Sequence, residues 1–144
     1  MSSIAQSQPA PPNAGKALRI GLWIAQVLVT LLFCFAGFTK LTTPIGPLSA
    51  MWPWTGAVPE AFVRVIGVID LAGGIGILLP ALIRILPRLT VWAALGCTVL
   101  QVFASIFHIS RGEFAVLPLN AVLLALSIFV LWGRARKAPI ASRS

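Results

Sequence analysis

Four long apolar stretches organise this chain, each followed within a few residues by a proline, a glycine or a basic residue. They cover residues 18–40, 61–80, 89–109 and 114–133. At about 1.5 Å rise per residue, each can cross a hydrocarbon layer of roughly 30 Å as a helix. None alternates apolar and polar positions with period two, and all exceed the length of a membrane strand. The pattern therefore predicts an all-α integral membrane protein. The links over 81–88 and 110–113 are short, which makes consecutive helices antiparallel neighbours in an up-down-up-down four-helix bundle. The second stretch is expected to close at Pro80, because proline removes a backbone donor and breaks helices. Residues 1–16, rich in Pro, Ala, Ser and Gln without periodicity, read as a disordered tail, and 137–144 as a second short tail. Residues 17–136 form the folded domain. The first stretch is too long for the apolar core of a cleaved leader, and no small-x-small site follows it, so it reads as a retained helix.

Polar and small residues within these stretches fall at helical spacing. Gln26, Thr30, Phe33, Gly37 and Lys40 share a face of the first, and Gly67, Asp70 and Gly74 a face of the second. Thr98, Gln101, Ser105 and His108 do so in the third, and Asn120, Ser127 and Arg134 in the fourth. Lipid gives apolar surfaces no reason to associate, so close approach at small residues and hydrogen bonds between helices must hold such a bundle. Gly37, Gly67 and Gly74 are the expected points of close packing.

Charge adds an orientation. Only 10% of residues are charged, against roughly 25% in soluble domains, while 58% are hydrophobic. The net charge of +8 is carried by residues between the apolar stretches and at the chain ends, with no basic stripe and no nucleic-acid-binding motif, so nucleic acid is not an expected partner. Lys16, Arg19, Arg84, Arg88, Arg134, Arg136, Lys137 and Arg143 gather at one end of the bundle, and only Lys40, Arg64 and Arg111 at the other. Basic residues stay on the cytoplasmic side, so both termini are expected to be cytoplasmic, and a bacterial plasma (inner) membrane is the expected location. The first outer loop, with Trp52 and Trp54, is expected at the lipid headgroups, where indole rings prefer to lie.

The candidate chemistry gathers in the outer half. Asp70 is the one carboxylate inside an apolar stretch, and an unpaired Asp there costs at least about 2.5–3.5 kcal/mol. Lys40, Arg64, His108, Arg111 and Asn120 lie in the same half, making a candidate polar cluster with Asp70. Arg64 precedes Asp70 by an offset that turns it about 120° away, so Lys40 or His108 is the expected partner across the bundle. Such a cluster can do no more than fix helix register, can bind a small polar or quinone-like ligand or handle protons, or can mark a partner surface. One His, one buried Asp and two separated Cys make no metal set, for which three or four converging ligands are needed. Counted from Lys40 and His108, Cys34 and Cys97 differ in depth by about 7 Å, which argues against a disulfide and for structural cysteines. Gly73, Gly74 and Gly76 follow no strand, so they are no dinucleotide loop and instead permit close helix packing. No nucleophile–base pair is present, and the chain is not expected to be an enzyme by itself.

The stretch Phe33-Cys34-Phe35-Ala36-Gly37-Phe38-Thr39-Lys40-Leu41 resembles the FxxAGxxKL signature of the DoxX-like family. The stretch from Arg64 through Gly67, Asp70 and Gly76 to Pro80 is similar to that family's R-x-x-G…E…G…LLP pattern, with Asp70 standing where the family usually has Glu. His108 with Arg111-Gly112-Glu113, then Asn120 and Gly133-Arg134, also resemble family positions. The resemblance spans residues 17–136 and implies a four-helix membrane protein. Some members of that family are linked to membrane redox or stress-related complexes; with no cofactor ligands and little chain outside the membrane, a non-catalytic accessory subunit of such a complex is the first expectation, with a partner protein or a second copy as its companion. A quinone-reactive oxidoreductase component using Asp70 and His108 for proton handling is the second expectation, with quinone as the cofactor if there is one. A small-solute transporter is the third, although neither inverted repeats nor broken helices favour it.

Overall fold

The computed structural model describes residues 14–143. Helix α1 runs over Ala14–Thr42, the short α2 over Ile45–Met51, α3 over Glu60–Ile83, α4 over Arg88–Ser110 and α5 over Leu117–Trp132. Single 3₁₀ turns cover Pro53–Gly56 and Phe114–Val116, and a π turn extends α5 over Gly133–Lys137. No strand occurs among the described residues. The four long helices are apolar enough to cross a membrane and pack as a four-helix bundle in the order α1, α3, α4, α5. Large apolar side chains such as Leu31, Phe35, Phe38, Trp92, Phe103 and Ile106 cover the outside, as lipid requires. The end holding the start of α1 and the end of α5 is the proximal end here, and the opposite end the distal end.

Local chemistry sets the helix limits. Pro59 precedes α3, and Glu60 in its first turn complements the helix dipole. Pro118 occupies the first turn of α5, where a missing N–H costs nothing. Arg84 ends α3 in the left-handed region, and Gly112, at φ +70°, turns the chain from α4 toward α5. Three boundaries differ from the sequence reading. α1 already begins at Ala14, and the remainder of the expected N-terminal tail lies outside the described residues. α3 does not stop at Pro80 but continues to Ile83, with Pro80 buried inside it. A proline removes one bond from a ladder, and membrane helices tolerate that where neighbours pack against the turn. The C-terminal segment also folds back, since Arg84 Nε donates to the Ala141 carbonyl (3.0 Å) and the Arg143 amide to the Arg84 carbonyl (2.7 Å).

The α1–α3 contact is the closest in the bundle. A Cβ on Gly37 would stand 2.6 Å from the Gly67 carbonyl oxygen, and one on Gly67 would stand 3.0 Å from Lys40 Cβ. At Gly74 it would meet Cys34 Sγ at 2.8 Å and the Thr30 carbonyl at 3.2 Å. Because the backbones approach so nearly, α1 side chains reach α3 carbonyls. Thr30 Oγ1 donates to Gly74 O (2.8 Å) and Gln26 Nε2 to Ile77 O (2.7 Å). On the other flank of α3, Cys97 Sγ takes the Cβ place of Gly73 and Ala93 that of Gly76. The two free thiols therefore lie beside consecutive glycines at one depth, on different faces of α3. The expected 7 Å offset fails because His108 stands farther toward the distal end than Lys40, by roughly that amount.

The proximal half is filled. Ala25, Val29, Phe33, Ile77, Ala94, Cys97, Leu123 and Val130 form one apolar cluster. Below it the buried Arg134 donates from Nε to Gln26 Oε1 (2.7 Å) and from Nη1 to the Ala138 carbonyl (3.0 Å), with its guanidinium 4.8 Å over the Trp23 ring. The distal half is not filled.

Candidate ligand cavity at the distal end

A cavity of about 420 Å³ lies among the distal halves of all four long helices. Apolar and aromatic side chains make most of its wall, among them Phe33 and Ala36 of α1, Ile66 of α3, Leu100, Ala104 and Phe107 of α4, and Leu119 and Leu123 of α5. Five polar side chains break that wall: Lys40, Asp70, Gln101, His108 and Asn120. The stripes of small and polar residues explain the arrangement, since each helix turns one such face to the bundle axis and the glycines of α1 and α3 bring Lys40 beside Asp70.

Lys40 Nζ donates to Asp70 Oδ2 at 2.6 Å, with only 11% and 5% of the two side chains exposed. The ammonium also lies 5.1 Å from the ring centre of Trp52 and 5.8 Å from that of Trp54, within reach of both ring faces. These indoles thus turn inward over the distal end of the cavity rather than resting only among headgroups. The loop that carries them is not featureless: α2 and the 3₁₀ turn that follows it hold it in place through the fully buried Leu48 and Thr55, with Thr55 Oγ1 donating to the Trp52 carbonyl (2.8 Å). Residue spacing contains no signal for this fold-back beyond the tryptophans themselves.

His108 is the other ionisable group on the wall, and it does not reach Asp70. Its Nδ1 pairs with Glu113 Oε1 at 3.2 Å, and its ring packs edge-on against Phe107 and Trp54, with ring centres 5.6 and 6.5 Å apart. Arg111 Nε donates to the same Glu113 oxygen at 2.8 Å. Partial burial works to raise the Glu113 pKa, but hydrogen bonds and charge from Arg111 and His108 outweigh it and hold the carboxyl below its ordinary range. Glu113 is the neighbour of the site that spacing did not single out, because it lies in a turn of three residues and reaches back to the helix before it.

Of the expected cluster, Lys40, Asp70, His108 and Asn120 line one cavity, and Arg64 and Arg111 do not. Arg64 ties the end of α1 to α3, donating from Nη1 to the carbonyls of Lys40 (2.5 Å) and Thr43 (2.8 Å) and from Nη2 to Glu60 (2.8 Å). Gln101 joins the wall, although the sequence presents it only as one member of a polar stripe. Gln101 Oε1 and Asn120 Nδ2 are buried with no hydrogen-bond partner among the described residues. No group of His, Cys, Asp and Glu suited to a metal ion occurs among the described residues.

Comparison with known proteins decides the family. The DoxX-like family matches residues 24–130, about three quarters of the chain. The chain belongs to the DoxX-like family. No curated protein and no solved structure matches it. With its four apolar helices, this DoxX-like protein is a multi-pass membrane protein. The matched stretch contains every residue of the cavity wall and ends before the buried Arg134 of the proximal end.

Proposed function

We propose that this DoxX-like protein binds a small ring-bearing ligand of the quinone class inside the membrane, as the ligand-binding subunit of a redox system. The observation that carries this reading is the distal cavity. Its volume falls within the roughly 300–1,000 Å³ of small-molecule sites, and it has the usual make-up of an apolar wall interrupted by a few convergent polar groups. Aromatic and aliphatic side chains suit a planar ring entering from lipid. The Gln101 and Asn120 amides and the Lys40 ammonium bring donors for ring carbonyls, and the same amides with Asp70 and His108 bring acceptors for ring hydroxyls. A network that served only to fix helix register would be expected to close on itself without leaving a cavity. The orientation belongs to the same proposal: the basic proximal end faces the cytoplasm of a bacterial cell, and the cavity lies toward the outer leaflet.

Titration of the protein in lipid nanodiscs with a short-tailed benzoquinone, followed by tryptophan fluorescence, tests this. Saturable quenching is expected, as Trp52 and Trp54 border the cavity. Replacing Ala104, on the wall, by Phe is expected to abolish the saturable part and leave the helical circular dichroism intact. Quenching that rises linearly in both proteins would remove the reading.

A further inference from the structure

We infer that Glu113 acts as a positioning residue that makes His108 a hydrogen-bond acceptor on the cavity wall, so that the site prefers the reduced, hydroxyl-bearing form of its ring ligand. The inference rests on the ligand-binding reading above and deepens it. A neutral imidazole carries one proton, and the partner of one nitrogen decides the role of the other. Here a carboxylate occupies Nδ1 at 3.2 Å, and a carboxylate can only accept. In the neutral ring the proton is thereby held on Nδ1, and Nε2 is left with its lone pair. No hydrogen bond reaches Nε2 among the described residues, and His108 belongs to the cavity wall. Arg111 anchors Glu113 at 2.8 Å and keeps it ionised and in place.

The groups around His108 bear this out element by element. From α4 itself come Phe107 and the turn residue Arg111, the latter spent on Glu113; from the distal loop comes Trp54, which presents its ring edge-on. The charges of α1 and α3 on the wall, Lys40 and Asp70, are bound to each other. The amides of Gln101 and Asn120 each bring both an acceptor and a donor, so they balance; what tips the wall is the Asp70 carboxylate and His108 Nε2 as acceptors, against an ammonium already engaged by Asp70 and two indoles. A hydroquinone brings two O–H donors to this set, whereas a quinone brings none.

The test compares affinities of a short-tailed benzoquinone and its hydroquinone at pH 8. For the full chain in nanodiscs under anaerobic conditions, the hydroquinone is expected to bind about tenfold more tightly, the discrimination of one well-made hydrogen bond of about 1.4 kcal/mol. In Glu113→Ala the Nδ1 partner is lost, the other tautomer becomes populated, and the ratio is expected to fall below about threefold. A variant that merely loosened the site would weaken both ligands together and leave the ratio unchanged, which overturns the inference. Equal affinities in the unaltered protein also overturn it while sparing the binding proposal, and binding of neither form overturns both. If Glu113→Ala does not fold, the ratio in the unaltered protein, with His108→Phe as the second variant, decides the matter. His108→Phe keeps the ring and removes the acceptor, so a ratio that persists in it contradicts the inference.

Discussion

Breaking the Lys40–Asp70 pair one partner at a time gives a sharp measure of the cavity's electrostatics. The two charges touch at 2.6 Å with 11% and 5% of their side chains exposed, so neither is screened by bulk water. An exposed pair contributes at most about 1 kcal/mol, whereas leaving one member of a buried pair uncompensated costs about 3–5 kcal/mol. The two single variants should not be equivalent. Asp70→Asn leaves an ammonium that still has the Trp52 and Trp54 rings, so its cost is expected near the lower figure, about 3 kcal/mol. Lys40→Met leaves a carboxylate with no second cation on the cavity wall, and its cost is expected near the upper figure, about 5 kcal/mol. The double variant keeps both shapes without either charge and is expected to be more stable than Lys40→Met alone, because the penalty comes from an orphaned charge. Unfolding in mixed micelles by increasing dodecyl sulfate, followed by circular dichroism, gives the four free energies of the cycle. Single losses below about 1 kcal/mol that simply add in the double variant would mean a solvated pair and refute the reasoning.

Two further outcomes follow from the packing and the distal turn. Gly37→Ala is expected to cost about 1–3 kcal/mol in the same assay, because the new Cβ meets backbone atoms at 2.6 and 2.9 Å, while Gly96→Ala, with nothing within 4 Å, is expected to be neutral or stabilising by up to about 1 kcal/mol. The Glu113 carboxyl is held below its ordinary range, so its contribution is complete above an unfolded value of about 4.3 and is lost as pH falls through the lower folded value; melting should decline with acidification below about pH 4, and less so in Glu113→Gln.

Much of the architecture was legible because lipid leaves a chain few options. Stretches long enough to span had to be helices, and their glycine and polar stripes had to face inward, as Gly37, Gly67, Gln26 and Ser127 do. The pairing of Asp70 with a cation from a neighbouring helix was legible for the same reason, and of the two partners expected the structure has Lys40. What stayed hidden depends on the relative height of helices and on short turns. Cys34 and Cys97 were placed at different depths because Lys40 and His108 were taken as level. His108 was offered to Asp70 because Glu113 lies outside the helical pattern. The inward turn of Trp52 and Trp54 needs the anchors Leu48 and Thr55, which carry no periodic signal. A cavity is an absence of side-chain volume, and no residue announces it.

Photolabelling of the membrane-embedded protein tests the central claim, a ligand cavity between the distal halves of four helices. A benzoquinone carrying a photoreactive group would be irradiated with the protein in nanodiscs and the modified peptides mapped by mass spectrometry. Label is expected on wall residues such as Leu100, Phe107 and Leu123, with protection by excess unlabelled ligand and loss in Ala104→Phe. Label confined to outward residues such as Phe35 and Trp92, unprotected by competitor, would contradict the account.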